Sequence, residues 1–180
     1  NKLLTETPSS PILHIVYRIG RLIGVDEMLS QKTKYALKAL LFLTEEEKRG
    51  KTPVLISDLA ERGNMPQKFL EAILLELKNH GILQSKKGKG GGYSLGKKPE
   101  DIHFGDVIRI LEGPLALLPC VSQMAYKKCD ECQDEATCGL RLLFKDVRDA
   151  TTEILDNTSL AKVRRMEELA AENKTPTYSI

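Results

Sequence analysis

The sequence has no tryptophan, and phenylalanine and tyrosine bring the aromatics to only 5% of 180 residues. That scarcity, beside plentiful leucine, argues against a β-sandwich and for a mostly α fold. No apolar run approaches the roughly 20 residues that a membrane span requires. The best candidates, Ala39 to Leu43 and Leu115 to Leu118, are short and flanked by polar residues. Asn1 to Gly24 shows no small-residue cleavage pattern, and His14, Arg18 and Arg21 interrupt it, so it does not read as a signal peptide. No membrane association and a cytoplasmic location are the expectation. Net charge is also nearly absent: 27 Lys plus Arg face 25 Asp plus Glu, leaving +2, too little to name a partner. Cysteine is missing from all but one stretch, where Cys120, Cys129, Cys132 and Cys138 gather. Such clustering in a chain without a secretory signal favours metal or redox chemistry over a disulfide framework.

What is present is ordinary globular composition, 41% hydrophobic and 29% charged, enough for one domain or a small domain with an appended element. The charge is unevenly spread. Gln84 to Lys98 carries five lysines (Lys86, Lys87, Lys89, Lys97, Lys98) and no acid, whereas Asp130, Glu131, Asp134 and Glu135 surround the cysteines. A basic patch on a near-neutral chain is a local footprint.

Apolar periodicity gives the elements. Ile12, Ile15, Val16, Ile19, Leu22 and Ile23 predict an amphipathic helix in the opening segment. Ser30 is the expected cap of a helix with Ala36, Leu37, Leu40 and Leu41 on one face, ending near Gly50. Ser57 is the expected cap of a short helix through Arg62, Gly63 and Asn64 make a turn, and Pro66 is placed as the first residue of the next helix. Phe69, Leu70, Ile73, Leu74 and Leu77 form that helix's stripe, ending at Gly81. Two helices across a tight glycine-containing turn make a helix-turn-helix. Ile82 to Lys86 and Tyr93 to Leu95 read as strands joined by Gly88-Lys89-Gly90-Gly91-Gly92, a hairpin that turns the motif into a winged helix. A helix around Phe104 to Leu111 stops at Gly113-Pro114, the cysteine stretch follows as a loop, and a long helix runs from Leu140 to near Asn157. The tail from Glu167 is polar and reads as partly frayed.

In a helix-turn-helix the second helix offers its first residues to base edges in the major groove, here Pro66, Gln67, Lys68 and Glu71. Gln67 suits adenine, Lys68 suits guanine or a phosphate, and Asn64 with the helix N-terminus suits phosphate oxygens. Lys86, Lys87 and Lys89 surround a glycine run (Gly90, Gly91, then Tyr93) whose amides can approach a phosphate or the minor groove. Lys32 and Lys34 can reach the backbone from the preceding helix. A solvated lysine-rich turn is the plain alternative for the wing taken by itself. A nucleotide-binding loop is disfavoured, since Tyr93 stands where a third glycine is needed and no Gly-Lys-Ser/Thr occurs.

The cysteines are spaced by eight, two and five residues. Four thiolates in a loop can surround an iron–sulfur cluster, 2Fe–2S or 4Fe–4S, or a tetrahedral zinc. Only Cys129 and Cys132 form the tight pair that zinc sites show twice. Thiol chemistry is a third reading, with Cys129 and Cys132 as a dithiol switch, and plain packing a fourth. His14, His80 and His103 are scattered and read as structural or surface residues.

These pieces together resemble the Rrf-two family of bacterial winged-helix regulators, from Met28 to about Val163. The resemblance rests on Leu29 to Leu43 (LSQKTKYALKALLFL), Ile56 to Leu83, the wing Lys87 to Lys97 (KGKGGGYSLGK), Gly105-Asp106-Val107-Ile108-Arg109, and the cysteine loop followed by a long helix. It implies a homodimer joined through that helix, by Leu140, Leu143, Phe144, Val147, Thr151, Ile154 and Leu155. It also implies two recognition helices on a roughly palindromic duplex and a cluster whose state alters DNA affinity. Cluster-binding members carry three cysteines, matched by Cys120, Cys132 and Cys138, and some add a histidine three residues after the last. Arg141 stands there in this chain, which makes Cys129 the candidate fourth ligand. The wing has Lys89 where proline is common in the family. The expected organisation is therefore an extension at 1–27, a winged helix-turn-helix domain at 28–113, a cysteine loop at 114–139, a dimerisation helix at 140–163 and a polar tail at 164–180. The function expected is transcription regulation; a dithiol redox enzyme is the rival, without the strand–helix alternation or neighbouring histidine it needs.

Overall fold

A computed structural model describes residues 29–173. The expected helix in residues 1–27 lies outside the described residues. Six helices and one hairpin follow in order: α1 (Gln31–Lys48), α2 (Ile56–Gly63), α3 (Gln67–Asn79), β1 (Leu83–Lys86), β2 (Gly92–Leu95), α4 (Phe104–Glu112), α5 (Gly139–Asp156) and α6 (Leu160–Glu172), with single 3-10 turns at Pro99–Asp101 and Pro119–Val121. This is the mostly α winged-helix architecture that the sequence predicts.

α1 is the central helix, packing against α2, α3, β2, α4 and α6. Its buried face is Ala36, Ala39, Leu40 and Leu43, rotated slightly from the predicted one, so that Leu37 and Leu41 are only half-buried. The small Ala36 and Ala39 let neighbouring helices come close. Into that surface α3 sends Leu70, Ile73, Leu74 and Leu77, all fully buried, as its 3.6-residue period dictates. Phe69 is the exception in that stripe: it is half-exposed and sets its ring edge-on to Tyr35 of α1, centroids 5.9 Å apart.

α2 begins one residue earlier than its expected cap. Leu55 occupies the cap position with its carbonyl accepting from Leu59, and Ser57 sits inside the first turn, donating to Asp58. Asn64 takes the left-handed conformation at φ 48°, closing α2, and Pro66 caps α3 from just outside it instead of being its first residue. The hairpin pairs Leu83 with Leu95 and Lys86 with Gly92 in antiparallel register. Val54 adds a bridge not predicted from sequence, exchanging backbone hydrogen bonds of 2.8 Å with Tyr93 and so tying the wing to the helix-turn-helix.

The C-terminal part differs most from expectation. The predicted helix of 140–163 is two helices: α5 ends at Asp156, Asn157 to Ser159 turn, and Ser159 caps α6 by accepting from the Lys162 N–H. The predicted polar tail is helical as far as Glu172. α6 is fastened to α1 by the fully buried Leu160 and by ion pairs Lys48–Glu168, at 2.7 Å, and Arg164–Glu45. At the turn, Phe104 donates to the Thr158 carbonyl and Leu160 to that of Ile102, so α4 and the start of α6 are stitched together. No described helix is long and apolar enough to cross a membrane.

Candidate nucleic-acid interface and cysteine loop

The exposed face of α3 presents Gln67, Lys68 and Glu71 beside Pro66 and Asn64, as the sequence predicts. Gln67 Nε2 lies 3.5 Å from Glu71 Oε1, one turn on, which leaves the other amide hydrogen and the carbonyl of Gln67 pointing outward for a partner. Lys68 is exposed. Lys32 is not simply offered to solvent: its Nζ is 2.7 Å from Glu76 Oε2 on α3, a pairing the sequence reading missed because 44 residues separate the two. Lys34 is half-buried in the first turn of α1.

At the wing Lys86, Lys87 and Lys89 are exposed, with Gly88 and Gly90 at φ +88° and +73° making the tip. Only glycine adopts those angles without strain. Two of the expected wing residues are less open than the lysines. Gly91 is buried, a Cβ there would collide with the Lys86 carbonyl, and its N–H donates to Gly88, so that amide closes the turn instead of facing out. Tyr93 is half-buried with its ring packed on the core. The lysines and Gly90 are the exposed part of the expected wing contact.

All four cysteines line one cavity of about 430 Å³ at the N-terminal end of α5, together with Lys127, Lys128 and Arg141. Cys120 is buried in the Pro119–Val121 turn, Cys132 and Cys138 are half-buried, and Cys129 is exposed. Among the described residues no three metal-ligating side chains are drawn together closely enough to hold a metal ion. Cys132 and Cys138 are near enough to influence each other's protonation, and Cys129 also acts on Cys132. Cys138 occupies the cap position of α5 without a side-chain cap hydrogen bond, and the nearby backbone N–H of Arg141, then the Cys132 thiol and the Leu140 N–H, hold its pKa below the ordinary thiol value against burial. Burial, and then the neighbouring Cys138, push Cys132 the other way. Arg141 Nε is buried without a hydrogen-bond partner, its nearest carboxylate being Glu135 at 3.7 Å.

Two arginines that the sequence reading passed over connect this loop to the rest. Arg148 of α5 donates to the carbonyl of buried Val121, one residue after Cys120. Arg109 of α4 clamps Asp156, at the end of α5, through two bonds of 2.7 Å. The charged end of Gly-Asp-Val-Ile-Arg was the available signal for the second.

Residues 29–166 match the family described as Rrf2, iron-dependent transcriptional regulator. The chain belongs to the Rrf2 family. It is a transcriptional regulator and not an enzyme. Among similar Rrf2 chains, the Rrf2-like HTH-type transcriptional regulator of Rhodobacter capsulatus is 44% identical over 74% of this chain and 89% of its own length. The transcriptional regulator CymR of Bacillus subtilis is 33% identical over 73% and 86%. The solved structure of that CymR, described as a global cysteine regulator, superposes with a TM-score of 0.64 at 31% identity, covering 78% of this chain and 98% of its own. The T. potens IscR structure gives 0.62 at 27%, covering 86% and 96%.

Proposed function

We propose that this Rrf2 regulator binds duplex DNA as a homodimer, with α3 of each protomer in the major groove of a roughly palindromic site and the wing lysines on the flanking backbone. The cysteine loop holds an iron–sulfur cluster on Cys120, Cys129, Cys132 and Cys138, and the state of that site sets DNA affinity. The observation that carries the reading is the cavity at the head of α5 that all four cysteines line, although no three of them stand close enough in this conformation to hold a metal ion. The donor set fits: soft anionic sulfurs are what iron–sulfur clusters take. Lys127, Lys128 and Arg141 line the same cavity and offer positive charge to thiolates, against the carboxylates of Asp130 and Glu131, which also line it. The group itself supplies a centre altered by oxidants or by nitric oxide. The remaining work belongs to the chain. Arg148 ties the cysteine loop to α5 and Arg109–Asp156 ties α5 to the winged helix, so a change in the loop would have a route to the spacing of the two recognition helices.

A cluster-free thiol regulator is the second reading. It is favoured by Cys132 and Cys138, two thiols near enough to influence each other's protonation. Iron, acid-labile sulfide and zinc per chain, measured on protein purified without oxygen, separate the readings. Iron with sulfide, and operator affinity that changes on oxidation in the wild type but not in single Cys→Ser variants, is the expected result. Zinc alone makes the loop a structural staple, and absence of all three leaves the thiol regulator.

A further inference from the structure

α3 is close to neutral for a recognition helix: Lys68 and Lys78 are matched by Glu71 and Glu76. Attraction to a polyanion must then come from elements around it. Lys32, in the first turn of α1, is one such source, yet its ammonium is bound at 2.7 Å to Glu76, with both side chains one-third exposed. Glu76 is half-buried, between the fully buried Ile73 and Leu77 in the sequence of α3 and beside the first turn of α1.

We propose that Glu76 holds Lys32 off the DNA backbone, so that Lys32 makes no phosphate contact and the wing lysines carry most of the salt-sensitive affinity. The inference rests on the DNA-binding reading above. Its physical basis is a competition. For Lys32 to reach a phosphate it must leave a carboxylate 2.7 Å away, and that carboxylate would then stand unpaired beside the phosphates. Both changes oppose binding. Glu76 thus limits non-specific affinity and leaves a larger share of binding to base-edge contacts from Gln67 and Lys68.

The test is the salt dependence of binding to a fluorescently labelled random-sequence duplex, measured by anisotropy between 50 and 200 mM KCl. The proteins are the wild type, Glu76→Gln, Lys32→Gln and the double variant, with circular dichroism confirming the fold of each. Freed from its partner, Lys32 adds one phosphate contact per protomer. Glu76→Gln is expected to bind more tightly and to steepen the log–log salt slope by about 0.9 per protomer, an advantage that shrinks about 3.5-fold per protomer across that range. Lys32→Gln is expected to leave the wild-type slope unchanged, and the gain from Glu76→Gln should vanish in the double variant. A shallower slope for Lys32→Gln means that Lys32 already contacts phosphate, and a gain that persists in the double variant means that Glu76 acts without it; either result overturns this inference alone. A wild type that binds no duplex overturns the DNA-binding reading itself.

Discussion

Gly105, Arg109 and Asp156 form one joint between the winged helix and α5. The carboxylate of Asp156 occupies space that any Cβ at residue 105 would fill, which is why a glycine stands inside the first turn of α4. Arg109 then grips that carboxylate in the two-bond geometry that guanidinium allows. The hydrogen bonds from Arg109, aided by its charge, hold the Asp156 pKa below the usual carboxylate value despite partial burial. A depressed carboxylate stabilises the fold above its unfolded pKa, about 3.9, and loses that contribution as pH falls through the lower folded value. The pair is partly exposed, so screening limits it to the order of 1 kcal/mol, roughly 2–4 °C in Tm for a chain of this size. Asp156→Asn should therefore unfold at lower temperature than the wild type at pH 7, and the gap should begin to narrow as pH falls below about 4. Thermal melts followed by circular dichroism from pH 3 to 7 check this; a gap independent of pH would mean that the joint acts through packing alone.

The wing and α3 are separate elements with separate tasks, and substitutions should tell them apart. Lys89 is exposed at a tip free of carboxylates between Gln84 and Lys98, and in the proposed complex it is assigned to phosphate. Lys89→Ala should weaken binding to all duplexes by a similar factor and make the salt slope shallower by about 0.9 per protomer. Lys68→Ala, in the helix proposed to enter the major groove, should instead weaken the preferred sequence more than random duplex. Fluorescence titrations on both duplexes at two salt concentrations decide between these outcomes. These elements were legible because local rules govern them. Leu70, Ile73, Leu74 and Leu77 announce α3 by period, and a run of glycines among lysines announces the hairpin tip. What was not legible depends on distant partners. α6 has one fully buried apolar anchor, Leu160, and otherwise holds to α1 by ion pairs across more than a hundred residues, so its polar sequence looks like a tail. Val54 joins the sheet as a single residue, too short to give an alternating pattern. Tyr93 faces the core because Val54 pairs with it, and no wing sequence read by itself contains that fact. The four cysteines were legible as a group, but the nearness of Cys132 to Cys138 comes from the way the loop folds back onto the head of α5.

At the scale of the whole molecule, α5 leaves its apolar face uncovered. It is an 18-residue amphipathic helix with no buried residue, and Leu140, Leu143 and Ile154 are 63%, 57% and 66% exposed. Leu140, Leu143 or Phe144, Val147, Thr151, and Ile154 or Leu155 recur at alternating three- and four-residue steps, the spacing of a seam made to meet a second helix. Water is a poor partner for such a face, and an exposed apolar stripe on a folded chain marks an interface. The proposed dimer covers it while Arg148 keeps its bond to the cysteine loop, so charge placed on the seam should separate protomers without dismantling the sensor. Leu143→Glu with Ile154→Glu is expected to run as a monomer in sedimentation velocity at micromolar concentration, with far-ultraviolet circular dichroism little changed. The consequence for DNA follows from valency. Two recognition helices on one dimer bind a two-part site with the second contact nearly intramolecular, so the monomer should lose about 100-fold or more on such a site and only a few-fold on random duplex. Equal losses on both duplexes would place the seam outside operator recognition, and a variant that still sediments as a dimer would move the interface to another face.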